Sequence, residues 1–226
     1  MISLNLDLHV HSIYSGDSII KPNDIIKYGK LKGLDGVAIC DHNTLKAYKK
    51  LKGKDEDFIL IPGMEIETNI GEVIGLFLSE DFTLDSIDFF DVVREIKASD
   101  GIIVLPHPFD KLRSNHIKLN LLNDRLIKKY IDGIETLNSR VIINSYNRKA
   151  KEIARKFNLF ETAGSDAHHP KEIGNAYTLL DKIDDLSFEG IKNTFKSRRS
   201  KSMGTLSSPL YHFITVYNKL KKGLYF

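Results

Sequence analysis

Five of the eight histidines in this 226-residue chain stand beside carboxylates or directly after short apolar runs. His9 and His11 lie in DLHVHS, His42 follows Asp41 in CDHN, His107 sits in LPHP, and Asp166 and His168 share GSDAHHP. A His-x-His pair on a strand puts both rings on one side, because side chains alternate along an extended chain. Small residues such as Gly164 and Ser165 let a backbone come close to a ligand. Imidazole and carboxylate donors without thiolate suit zinc, manganese or iron better than copper or a calcium cage. Two such ions a few ångströms apart can share a hydroxide and clamp the oxygens of a phosphoryl group. Holding them against their mutual repulsion needs a bridging carboxylate. Glu65 is the candidate, with Glu67 two residues on as the alternative of the same type.

These residues need elements that bring them together. Apolar runs predict strands at 4–10, 36–40, 58–67, 73–78, 102–106, 133–137, 160–165 and 176–180. Their Ile, Val and Leu without strict alternation suit strands buried on both faces. Stretches 22–32, 44–52, 84–99, 119–130, 144–157 and 186–195 read as helices, with Pro22 near a helix start and Gly33 and Gly53 just past helix ends. The repeated strand–helix order predicts parallel βα units, closed as a barrel or open as a doubly wound sheet. Each candidate ligand then falls at or just beyond the carboxyl end of a strand, where active sites of parallel folds are built. Residues 196–208 are polar and basic. After them Leu210, Phe213, Ile214, Tyr217 and Leu220 form an apolar helical stripe, expected to pack across the barrel with Lys219, Lys221 and Lys222 in solvent. No repeat or linker divides the chain, so residues 1–226 are expected to form a single domain, with 196–226 its basic segment and amphipathic helix.

Composition narrows the possibilities. Hydrophobic residues make up 42% and charged residues 28%, as in soluble globular proteins. There is no apolar run long enough to span a membrane and no secretory pattern at the start. Cys40 is the only cysteine, so a metal site must use nitrogen and oxygen, and a reducing cytoplasm is the simplest home. A formal net charge of +3 is too small to argue for nucleic acid.

The segments DLHVHSIYSGDS (7–18), AICDHNT (38–44), GMEIET (63–68), LPHP (105–108), DGIETLN (132–138) and GSDAHHP (164–170) together resemble the PHP superfamily, the polymerase and histidinol phosphatase domain proteins. The likeness runs over three quarters of the chain and is nearest to the small stand-alone members. It implies a distorted (β/α)7 barrel with two or three divalent ions in a cleft at the strands' carboxyl ends. By the resemblance, His9, His11, Glu65 and Asp166 would hold a first ion, Glu65 and His107 a second, and Asp17, His42 and His168 a third. A hydroxide between ions would attack phosphorus. One departure stands out. Many relatives carry a further histidine on the strand after GMEIET, where this chain has Ile74, so the second ion is expected to bind most weakly. Asp7 and Asp41 are expected to orient ligand histidines, and Glu135 and Asn138 to lie near the cleft.

The reaction expected is hydrolysis of a phosphomonoester on a small metabolite or nucleotide, with no membrane involved. Arg140, following the strand at 133–137, could grip the phosphate with its planar fork or form a surface salt bridge. A phosphodiesterase or exonuclease acting on oligonucleotide ends is the alternative. It is not favoured, because the chain has no tryptophan and its basic residues are dispersed. A metal-binding domain without catalysis is the third reading, raised by Ile74. An amidohydrolase also begins with His-x-His, but no lysine stands where its bridging lysine would. His169 is expected to be a neighbour of His168 more than a proton donor, and His116 and His212 to be solvated or packed.

Overall fold

The computed structural model describes residues 2–113 and 115–221. The strands are β1 (Ile2–Val10), β2 (Gly36–Ile39), β3 (Ile59–Thr68), β4 (Gly71–Leu76), β5 (Ile102–Leu105), β6 (Gly133–Asn138), β7 (Phe160–Gly164), β8 (Ala176–Ile183) and β9 (Ser200–Gly204). The helices are α1 (Pro22–Leu31), α2 (Lys46–Leu51), α3 (Phe89–Ala98), α4 (Asp124–Tyr130), α5 (Ser145–Phe157), α6 (Phe188–Lys196) and α7 (Leu210–Lys221). Among the described residues the strands form one sheet in the order β7-β6-β5-β4-β3-β2-β1-β8-β9. The sheet curls until β7 meets β1. Asp166 donates its backbone N–H to the His9 carbonyl at 2.7 Å and His11 to the Ala167 carbonyl at 3.1 Å. Below that contact, the Thr178 hydroxyl on β8 bonds both the N–H and the carbonyl of Ala163 on β7, at 2.8 and 3.0 Å. The result is the distorted α/β barrel that was expected, nearly closed.

Its strands are not all parallel. β1, β2 and β3 run parallel, as do β5, β6 and β7, but β4 is antiparallel to both of its neighbours. β3 returns directly into β4 through Asn69 and Ile70, and Gly71 takes up a positive φ of 120° where a Cβ would meet the backbone of Ile117. A two-residue return leaves no length for a crossover helix, which a parallel partner would require. The polar stretch at 196–208 supplies β9, antiparallel to β8, whose Ser202 hydroxyl bonds the Thr162 carbonyl. Hydroxyls on two strands thus serve the barrel seam. Helix boundaries also shift. Asp88 caps α3 by accepting from the N–H groups of Phe90 and Asp91, so 84–88 is loop, and 119–130 divides into a 3-10 turn and α4 behind an Asn123 cap.

Packing divides the barrel into a floor and an outer layer. Leu4, Leu6 and Leu8 of β1 join Ala38, Cys40, Ile61, Ile74 and Leu76 in one buried cluster, which Ile191 and Phe195 of α6 also enter. Val10 belongs elsewhere: it packs with Val37, Ile39, Ile25 and Leu51 under α1 and α2. The alternation of β1 therefore inverts between Leu8 and Val10, where the pairing with β2 slips register. A β-bulge of this kind re-aims side chains. It turns His9 and His11 inward, above the apolar floor.

The C-terminal stripe does not pack as expected. Leu210, Phe213, Tyr217 and Leu220 are 57–71% exposed, while Thr215, on another side of α7, is buried. Arg140 decides the orientation of α7 by donating to the Thr215 hydroxyl at 3.0 Å. Lys222 and the side chains of Lys219 and Lys221 lie outside the described residues. No described helix is long and apolar enough to cross a membrane.

Candidate metal centre

All eight candidate ligands converge at the mouth of the barrel. His9 and His11 come from the bulged end of β1, Glu65 from β3, His42 from the turn after β2, and His107 from the turn after β5. Asp166 and His168 follow β7, and Asp17 follows a 3-10 turn at Ile13–Ser15. His42 is partly exposed and the other seven are buried. Glu65 is central. Its Oε1 lies 3.0 Å from His107 Nε2, and its Oε2 lies 3.2 Å from His11 Nε2, 3.4 Å from His42 Nδ1 and 3.5 Å from His9 Nε2. Asp17 Oδ2 stands 3.1 Å from His168 Nε2 and 3.7 Å from His42 Nε2.

Hydrogen bonding fixes which ring nitrogens are free. His9 Nδ1 faces the Glu135 carboxylate at 3.1 Å, which can only accept. His11 Nδ1 faces the Ser15 hydroxyl at 2.9 Å, whose single proton goes to Asp41 at 2.8 Å, so this imidazole also donates. As neutral rings, His9 and His11 therefore aim their Nε2 lone pairs at each other across 3.0 Å. His168 donates from Nδ1 to the Asp166 carbonyl at 2.8 Å, which aims its Nε2 lone pair at the Asp17 carboxylate. Asp166 Oδ1 is buried without a hydrogen bond, 3.4 Å from His11 Nε2. Converging lone pairs and an orphaned carboxylate oxygen are what divalent cations would satisfy. The donor set fits.

Electrostatics agrees. Burial opposes charge on His9, yet Glu65, Asp166 and Glu135 together push its pKa well up. His11 is likewise raised to about 9 against burial, by Asp166 and Glu65. Burial would raise Glu65 and Asp166, but His9 and His107 beside the first, and Arg113 and His9 beside the second, hold both carboxyls well below the usual range. His168 is lowered to about 4, chiefly by burial, and so stays a neutral donor. Without an ion, protons take the places of cations.

The surroundings hold this geometry. Glu135 orients the His9 ring, accepts the backbone N–H of His107 at 2.9 Å and accepts from Asn138 at 2.9 Å. Asn138 also donates to Asp166 Oδ2 at 3.1 Å. His107 and Asp166 keep positive φ angles of 27° and 53°, sparsely populated conformations maintained by these bonds. A Cβ on Gly164 would meet His9 Cβ at 2.3 Å and Glu135 Oε1 at 2.9 Å, so glycine is needed there. Asp41 acts on His11 through Ser15, as expected of an orienting carboxylate. Asp7 does not touch a ring. It accepts backbone N–H groups of Ser165, Gly174 and His9, and so fixes the seam instead.

Three residues of the site were missed by reading the sequence. Glu72, buried on β4, brings Oε2 to 3.8 Å from His107 Nε2, and burial and Glu65 raise its pKa to about 8. Arg113 pairs with Asp166, donates to Asp110 at 3.2 Å, and stays firmly protonated by these carboxylates despite burial. His212 of α7, expected to be solvated or packed, helps line the cleft with Thr215 and Val216. The cleft holds about 390 Å³ between Glu65, Glu72, Arg113, Arg140 and this helix. Arg140 reaches it from a buried position, with Nε 3.6 Å from Glu172 Oε1. His169 caps the turn at Pro170–Glu172 and packs against the Tyr211 ring at a tilt, which suits a neighbour of the site. A larger cavity, about 740 Å³ near Lys46, Met64 and Ile87, contains none of the eight ligands.

Known proteins resemble this chain to different degrees. Residues 7–159 match the PHP domain family and residues 144–200 the PHP-associated family. Protein MJ0417 of Methanocaldococcus jannaschii is 35% identical over 98% of this chain and 94% of its own. Among solved structures, a two-domain protein of Bacteroides vulgatus containing a predicted PHP-like metal-dependent phosphoesterase superposes with a TM-score of 0.76. It is 20% identical, over 96% of this chain and 70% of that one. The lesion-specific endonuclease PfuEndoQ of Pyrococcus furiosus superposes with a TM-score of 0.64 and 21% identity, over 89% of this chain and 58% of that one.

Proposed function

The chain belongs to the PHP domain family, and on that premise we propose that this metal-dependent phosphoesterase hydrolyses a phosphomonoester of a small metabolite or nucleotide. The observation that carries the reading is the position of Glu65, whose two oxygens divide between His107 on one side and His9, His11 and His42 on the other. Such a carboxylate can hold two cations at once. His9, His11, Glu65 and Asp166 would hold one ion, Glu65 and His107 a second, and Asp17, His42 and His168 a third. Divalent zinc, manganese or iron bound there would supply Lewis-acid polarisation of the phosphoryl group and acidify water. The protein's own residues do the rest. Glu135, Asn138 and Ser15 fix ring and carboxylate orientation, while Arg113 and Arg140 present guanidinium donors to the phosphoryl oxygens.

The size of the cleft supports the small substrate. A volume of about 390 Å³ suits one compact ligand, and His212, Thr215 and Val216 of α7 line one side of it. The likeness to a lesion-specific endonuclease supports a phosphodiester as the second reading, but at 21% identity it speaks for the fold. Cys40 is buried and its thiol pushed up by burial, so it is a poor ligand or nucleophile. The test is to strip the protein with chelator, restore zinc, manganese or iron, and assay an aryl phosphate, nucleoside monophosphates and short oligonucleotides. Phosphate release from monoesters that requires added metal is expected. Cleavage of oligonucleotides in preference to every monoester would overturn the substrate assignment.

A further inference from the structure

The ion expected beside His107 is one ligand short by the family resemblance, because Ile74 stands where a histidine would complete it. Ile74 pairs with Glu65 across the β3–β4 hairpin and belongs to the floor, 2% exposed among apolar side chains. Two residues earlier on the same face, and one rung nearer the mouth, is Glu72, which pairs with Glu67. Its carboxylate is 9% exposed, with Oε2 3.8 Å from His107 Nε2. Donor atoms of His42, Glu65 and Glu72 all lie within 4.8 Å of one another. A buried carboxylate on an apolar strand needs a reason, because burying charge is costly unless it is paired or coordinated. The next strand explains the approach: β5 ends at Leu105 beside β4, and the turn that follows lifts His107 to the level of Glu72.

We propose that Glu72 is a ligand of the ion held by Glu65 and His107, standing in for the histidine absent at position 74, and that it makes this position select a harder ion than the one at His9 and His11. The inference rests on the metal reading of the cluster given above. With Glu72, the position offers two carboxylates and one imidazole. The neighbouring position offers two imidazoles and the carboxylates of Glu65 and Asp166. Carboxylate-rich sets favour manganese, and imidazole-rich sets favour zinc. The replacement therefore changes which metal the position prefers, and does more than make up a number of ligands.

The experiment uses chelator-stripped full-length protein, loaded first with zinc and then titrated with manganese, with bound Mn2+ followed by electron paramagnetic resonance and total metal by elemental analysis. The wild-type chain is expected to retain manganese at one position alongside zinc. Glu72→Gln is expected to weaken that manganese by at least about tenfold, the lower end of what even an outer partner of a ligand contributes, with the zinc content unchanged. Glu72→His is expected to restore binding with zinc preferred, which shows that the side chain contacts the ion and that the variant folds. Manganese affinity in Glu72→Gln within about twofold of wild type would overturn the inference alone, since tenfold is the smallest expected effect. Wild-type protein that takes up no ion would overturn the metal reading of the whole cluster, and this inference with it.

Discussion

Arg113 and Asp166 form a direct ion pair in which Asp166 Oδ2 takes the guanidinium and leaves Oδ1 buried and without a hydrogen bond. The pairing divides the labour of one carboxylate. One oxygen is anchored and the other is aimed at His9 and His11. It also puts a permanent cation in the wall of the cleft.

Arg113→Ala should therefore affect substrate and metal together. KM for an aryl phosphate is expected to rise about tenfold, as for the loss of one charge-assisted contact, with looser binding of the His9–His11 ion. Arg140→Lys should do less to KM, because lysine keeps a cation at that position and loses only the planar fork. Steady-state kinetics of both variants at saturating metal decides between the two arginines. A larger KM effect at Arg140 would return the phosphate contact to that residue.

Glu65→Gln should reduce metal-dependent hydrolysis by about a hundredfold or more, since it touches the partners of every ion. Thermal unfolding of the stripped variant checks that the fold survives, and near-full activity after metal is restored would remove Glu65 from the mechanism.

Stability without metal should depend on pH in a set direction. His11 is raised from 6.5 to about 9 in the ion-free protein, so its proton favours the folded state. That contribution is complete below pH 6.5 and is lost as pH rises through 9, on the order of 3 kcal/mol from this group. Chelated protein should melt at a lower temperature at pH 9 than at pH 6.5. Zinc-loaded protein should show a much smaller drop, because the ion holds the place of the proton.

Gly164→Ala should be destabilising by about 1–3 kcal/mol, as for overpacking, because the new methyl group would meet His9 Cβ. Metal uptake at His9 and His11 should fall with it. Denaturant titration and metal analysis of this variant are the measurements, and unchanged uptake would show that the seam can relax.

Ile74→His should not act as a gain of ligand. The imidazole would replace a fully packed floor residue, so a lower melting temperature is expected with no tighter manganese binding. Tighter binding would mean that the floor opens to the cleft at position 74.

Seven of the eight candidate ligands were legible because each is a metal-type residue in or just after an apolar run, and strand ends in such folds share one mouth; Asp17, in SIYSGDS, came from the family resemblance alone. Glu72 carries no ligand motif of its own, yet its signal is visible: a lone charge at the head of the apolar run EVIGLF, on the same strand face as Ile74. Arg113 lies in a loop with no periodicity, and only closure of the barrel brings it to Asp166. The antiparallel β4 had its sign in the short Asn69–Ile70–Gly71 link. β9 carries serine and lysine where a strand pattern would be apolar, because it serves the seam through hydroxyls. The face of α7 was misjudged because an apolar stripe shows which side could be buried. Arg140 and Thr215 determine which side is.

The slip in β1 means that the strand is counted in two frames. Below it, even-numbered positions build the floor; above it, odd-numbered positions carry the imidazoles. Pairing the same residues with β2 in one unbroken register would change no side chain and yet send His9 and His11 out beneath the helices. Substitutions below the slip, by contrast, can be chosen for packing alone without disturbing the aim of the rings. The chemistry of this barrel hangs as much on where its first strand miscounts as on which residues it carries.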